Sequence, residues 1–137
     1  MSHRTDILDR IESLLRAIPD IKDVAVNKST PVDIDTIVMP YVFVYSGVET
    51  KLKDNRAVIG SETWDWAVIL EVWATEENME DLLAEIHAAM FADETFGGYA
   101  SYSERVGVDM YVIDPTRALQ SMLITYSVIY RHVQGIM

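Results

Sequence analysis

Apolar residues recur along this chain with two different periods, and the switches between them mark out its elements. At Ile7, Leu8, Ile11, Leu14, Leu15 and Ile18 the spacing is three and four, with Asp9, Arg10, Glu12 and Arg16 between. That period predicts an amphipathic helix, capped by Ser2 or Thr5 and stopped by Pro19. IKDVAV, Ile21 to Val26, has strand-like residues, and a loop bounded by Pro31 and Pro40 follows, in which VDIDTIV fits either strand or loop. YVFVYSGVETKLK, Tyr41 to Lys53, begins as a strand rich in β-branched and aromatic residues, and KDNRAVIGSE predicts a long hairpin connection. From Trp64 to Ala74 the period is two. Trp64, Trp66, Val68, Leu70 and Val72 share one face; Asp65, Ala67, Ile69, Glu71 and Trp73 share the other.

The helical period returns in TEENMEDLLAEIHAAMFA, where Met79, Leu82, Leu83, Ile86 and Met90 form the apolar stripe. Thr75 or Asn78 can cap this helix, and acids in its first turn suit the helix dipole. Gly97 and Gly98 are expected to end it, because glycine accepts the left-handed conformation with which a chain leaves a helix and doubles back. SERVGVDMYVID, Ser103 to Asp114, and LQSMLITYSVIYRHV, Leu119 to Val133, predict two strands joined by a DPTR turn. The order is helix, strands, helix, two strands. Residues 1–137 therefore predict a single α+β domain, a mainly antiparallel β-sheet with two helices packed on one face.

Two helices cover one face of such a sheet, yet several strands are apolar on both. Val42, Val44 and Val48 oppose Tyr41, Phe43 and Tyr45; Met122, Ile124, Tyr126 and Val128 oppose Leu123 and Ile129. A second copy of the chain is the economical cover. The alternative is that the loop from Lys28 to Met39 folds over that face.

Charge sharpens this picture. The chain has 22 acids against 11 bases, a net charge of −11. All of the excess lies between Ala57 and Glu104, which holds eleven acids and no Lys or Arg. Wrapping a nucleic-acid backbone needs the opposite balance. Such a segment suits a surface that repels DNA or meets a basic partner. With no cysteine there is no disulfide framework or thiol nucleophile, and the N-terminus lacks the apolar run of a cleavable signal. A soluble protein of a reducing compartment is expected, with no membrane partner.

Candidate chemistry is sparse. His3, His87 and His132 lack the spacing of a zinc pair, and no phosphate loop, GxSxG or HExxH occurs. Asp93 and Glu94 could form a carboxylate pair, although neighbours at a helix end commonly face solvent. No catalytic residue, metal site or cofactor is assigned, and an enzyme is not expected. The basic cluster Lys51, Lys53 and Arg56 lies in the hairpin, just before the acidic half. It is either a solvated tip or an arm that contacts another protein or reaches the acidic second helix of a neighbouring subunit. Glu77, Glu80, Asp81 and Glu85 form the acidic face of the second helix, either solvated or a lumen or docking surface. A small ligand-binding dimer remains an alternative, with a pocket of Trp64, Trp66, Tyr126 and Tyr130.

Taken together, P-Y-V-F-V-Y-S-G-V-E leading into a long hairpin, a helix finishing in D-E-T-F-G-G and a closing L-I-T-Y-S-V-I-Y-R form a pattern. It resembles the tail terminator proteins of long-tailed bacteriophages, the group that includes the minor tail protein U of lambda, and the related tail-completion and head–tail joining proteins. Pro40, Gly47, Glu49, Asp93, Thr95, Gly97, Gly98 and Tyr126 carry the resemblance; Phe96 and Tyr99 depart from it. The resemblance implies a structural virion protein, assembled in the host cytoplasm and placed at the head-proximal end of the tail. It forms a ring, usually hexameric, that caps the tail tube protein, stops its polymerisation and offers a surface to the head-completion or connector protein. DNA would pass through the lumen without specific binding. A neck or joining protein of the same fold is the nearest alternative.

Overall fold

The computed structural model describes residues 3–27, 38–51 and 61–133. The elements are α1 (His3–Arg16), β1 (Asp23–Val26), β2 (Tyr41–Lys51), β3 (Ser61–Thr75), α2 (Glu76–Ala92), β4 (Tyr102–Asp114) and β5 (Leu119–Val133). The five strands form one sheet in the order β1-β2-β3-β5-β4, in which β1 runs parallel to β2 and every other pair is antiparallel. The fold is α+β, as the periodicities predict. The VDIDTIV segment, and the idea that the Lys28–Met39 loop covers a sheet face, lie almost wholly outside the described residues.

Both helices pack on one face because their stripes match it. Ile7, Ile11 and Leu15 of α1 and Met79, Leu82, Ile86 and Met90 of α2 are buried against Val42, Val44, Trp66, Val68, Leu70 and Val72. Met122, Ile124, Tyr126, Val128 and Tyr130 of β5 complete this core. The opposite face carries an aromatic ladder: the Tyr41 and Phe43 rings lie 4.7 Å apart, and Phe43 meets Trp73 edge-on at 5.0 Å. Beside it Glu71 accepts hydrogen bonds from the Trp73 indole at 2.6 Å and from the Ser121 hydroxyl at 3.3 Å. Tyr41, Phe43 and Ile129 are buried within the single chain, and Tyr45, Ile69 and Leu123 are half-buried. The face without helices is therefore not the barest part of the molecule.

Two local expectations are corrected. Val48 does not share a face with Val42 and Val44: the register shifts between Ser46 and Glu49, a bulge that turns Val48 out to solvent and Glu49 inward opposite Trp66. Gly47 permits this, since a Cβ there would lie 2.9 Å from the Ala67 carbonyl oxygen. Nor do Gly97 and Gly98 end α2. The helix stops at Ala92, and Asp93 is its C-cap, donating its N–H to the Met90 carbonyl. Asp93 then uses its carboxylate to accept from Gly97 N–H at 3.1 Å and from Arg10 at 2.6 Å. The glycines lie further on, at φ of +72° and +92°, in the turn that delivers the chain to β4. Phe96, also at positive φ, is fully buried and anchors that turn.

Candidate functional site

Among the described residues the sheet ends in two strands with one neighbour each, β1 and β4, and these edges are built differently. β1 is four residues long and packs beside α1. Arg16, at the end of α1, lies over it: the guanidinium pairs with Asp23 at 3.0 Å, donates to the Val24 carbonyl at 2.8 Å and is braced by Glu12 at 2.8 Å. Part of this edge's hydrogen-bonding capacity is thus already occupied. β4 is thirteen residues long and, among the described residues, pairs only with β5. Of nine exposed large apolar residues among those described, five are on β4: Tyr102, Val106, Met110, Tyr111 and Val112. Phe91 and Tyr99 lie next to it in the α2 end and the turn. A long uncovered apolar edge invites pairing with another chain.

Behind this edge, between the C-terminal half of α2 and β4, lies a cleft of about 350 Å³. Its walls include His87, Met90, Phe91, Tyr102, Arg105 and Tyr126. Among the described residues two polar atoms there are buried without a hydrogen-bond partner, the Tyr126 hydroxyl and His87 Nδ1. Burial pushes the Tyr126 hydroxyl pKa up to about 12, with Arg105 opposing the shift. At pH 7 it is therefore a neutral group able to donate and to accept.

A second cluster locks the opposite end of the helix-covered face. The Tyr130 hydroxyl donates to Glu49 at 2.5 Å, Arg4 pairs with the same carboxylate at 3.4 Å, and the Arg4 guanidinium lies 4.9 Å from the Trp66 ring centroid. Burial, and then Glu49, raise the Tyr130 pKa. Within this cluster the Trp66 indole N–H is buried without a hydrogen-bond partner among the described residues.

Neither a family model nor a curated protein matches this chain. The bacteriophage resemblance therefore rests on its motif residues, and the structure gives most of them local tasks. Gly47 makes the bulge, Glu49 takes the Tyr130 hydroxyl, Asp93 ties the end of α2 to Arg10, and Gly97 and Gly98 form the turn. The Thr95 carbonyl accepts from Gly98 and Ala100.

The remaining candidates scatter. Glu77, Glu80 and Asp81 are exposed along α2. Glu85 is half-buried, and its pKa is raised by desolvation first and then by the neighbouring negative charge of Asp20. Lys51 ends β2 opposite Trp64, whereas α2 begins after Thr75 at the other end of β3. Lys53 and Arg56 lie outside the described residues. Of the four aromatics proposed as a ligand pocket, Tyr126 alone lines the cleft; Trp66 and Tyr130 pack edge-on in the core at 6.2 Å. Among the described residues no three His, Asp or Glu side chains are placed to hold a metal ion, and no helix is long and apolar enough to cross a membrane. Sequence reading missed the β4 edge. The signal was present: Val106, Val108, Met110 and Val112, with Tyr111 and Ile113, make β4 apolar at both parities.

Proposed function

We propose that this protein is a self-assembling structural subunit of a bacteriophage tail, a terminator-type ring that caps the tail tube and presents a surface to the head. The observation that carries this reading is the unequal pair of sheet edges: β1 short and guarded by Arg16, β4 long and bare. A bare edge is a surface for another copy; a ring follows where β4 meets a different surface of the next copy, whereas β4 against β4 would close a two-fold dimer. The acidic excess on α2 fits a channel that DNA crosses without sticking.

The test is to add the purified protein to polymerising tail tubes and measure tube length and end structure by negative-stain electron microscopy. The expected result is tubes that stop growing and carry a ring at one end. Unchanged tube growth with no density at either end would refute the terminator role. Binding to purified heads with none to tubes would assign the protein to the neck instead.

A further inference from the structure

We propose that the cleft between α2 and β4 is a binding site for a small neutral phenol, a flat apolar ring that carries one hydroxyl. The site is built within one chain, so it stands apart from the ring reading.

The buried groups of the cleft set the polar end of the ligand. The Tyr126 side chain is 2% exposed, and its hydroxyl and His87 Nδ1 are buried without a hydrogen-bond partner among the described residues. A buried polar group left unpaired is costly, so a ligand group that pairs with it is favoured there. A hydroxyl both donates and accepts. It can accept from Tyr126 and donate to His87, or the reverse, whichever His87 nitrogen carries the proton.

The apolar walls set the body of the ligand. Met90 is buried, whereas Phe91 and Tyr102 are 69% and 48% exposed, and the His87 and Phe91 rings lie with centroids 6.3 Å apart at a tilt of 42°. Such surfaces suit an aromatic ring. Exposed side chains change rotamer quickly, so Phe91 and Tyr102 can part to admit a ligand to the two closed-off atoms. The cleft's volume of about 350 Å³ falls within the range of small-molecule sites.

Charge argues against the ionic alternatives. Glu94 and Glu104 line the cleft together with Arg105, two acids against one base. A free carboxylate would meet the two acids. A cation at the Tyr126 hydroxyl would meet Arg105, whose charge is felt there. A neutral ligand meets neither penalty.

The test is a titration of the isotope-labelled protein with p-cresol, with toluene and benzoate as controls, followed by amide chemical shifts. The expected result for p-cresol is saturable shifts centred on His87, Phe91, Tyr102 and Arg105, with a Kd of about 1 mM or tighter, the scale for so small a ligand. Toluene lacks the hydroxyl and benzoate is charged, and each should bind about threefold to tenfold more weakly. Tyr126→Phe removes only an unpartnered atom, so the fold should hold. In that variant p-cresol should lose about the same factor while toluene is unchanged, so that the two affinities converge. No saturable shift in the folded parent at concentrations tenfold above that Kd would overturn the proposal. Equal affinity of the parent for toluene and p-cresol, or p-cresol binding that Tyr126→Phe leaves unchanged, would also overturn it, because the hydroxyl would then pair with nothing. Tighter binding of benzoate would replace the phenol by an anion held on Arg105.

Discussion

The two edges of this sheet show how one fold treats the same liability in opposite ways. At β1 the exposed backbone is kept short, flanked by α1 and partly occupied by Arg16, which are recognised ways of blunting an edge. At β4 the strand runs along β5 from Leu119 to Ile129 and turns Val106, Met110, Tyr111 and Val112 to solvent. Its two register shifts, near Arg105 and near Val112, bend the strand without covering it. The difference teaches where to look for a partner.

Removing the cover of β1 should have the largest effect. Leu15→Ala on α1, at a fully buried site, is expected to cost about 2–5 kcal/mol in denaturant unfolding. It should also raise aggregation, because the guarded edge then behaves like the bare one. Next comes the turn that delivers β4. Gly98→Val finds open space but sits at φ +92°, so backbone strain alone should cost about 1–2 kcal/mol and show as a lower Tm. Arg16→Met removes the β1 guard with little loss of packing; the guanidinium is half exposed, so about 0.5–1 kcal/mol is expected.

A pH titration of stability sharpens the β4 side. The hydrogen bond from Arg10 and the Gly97 N–H hold Asp93 below the usual 3.8. A depressed carboxylate pKa stabilises the fold above the unfolded value and loses that contribution as pH falls through the folded one. Asp93→Asn should therefore flatten the loss of stability below about pH 4. Its cost at pH 7 should be a few tenths of a kcal/mol, since Arg10 is largely solvated. Smallest for the folded chain is Met110→Lys with Val112→Lys, expected within about 0.5 kcal/mol of the parent because both sites are exposed. The same pair should abolish assembly.

The legible part of this fold was what period alone encodes. The strand Leu119–Val133 and the helix over Glu76–Ala92 follow from alternation and from an i, i+3, i+4 stripe. What period does not encode is neighbourhood. Nothing in DVAV announces that it pairs parallel with β2, and nothing in SERVGVDMYVID says that it ends the sheet, though its apolar residues at both parities were a warning. The bulge at Gly47 was hidden because it rests on the close approach of Ala67 from the next strand. The double glycine was placed too early: Asp93, by reaching Gly97 and Arg10 at once, ends α2 before the glycines are reached.

The most direct test of the central claim, that bare β4 is an assembly surface, is absolute mass by light scattering behind a sizing column. It should be run for the parent and for Met110→Lys with Val112→Lys over a range of protein and salt concentrations. The expected result is a parent at several times the 15.5 kDa chain, near six for the usual ring, and a folded variant at the mass of one chain. A parent that stays at 15.5 kDa, or an oligomer whose mass the two lysines leave unchanged, would contradict it.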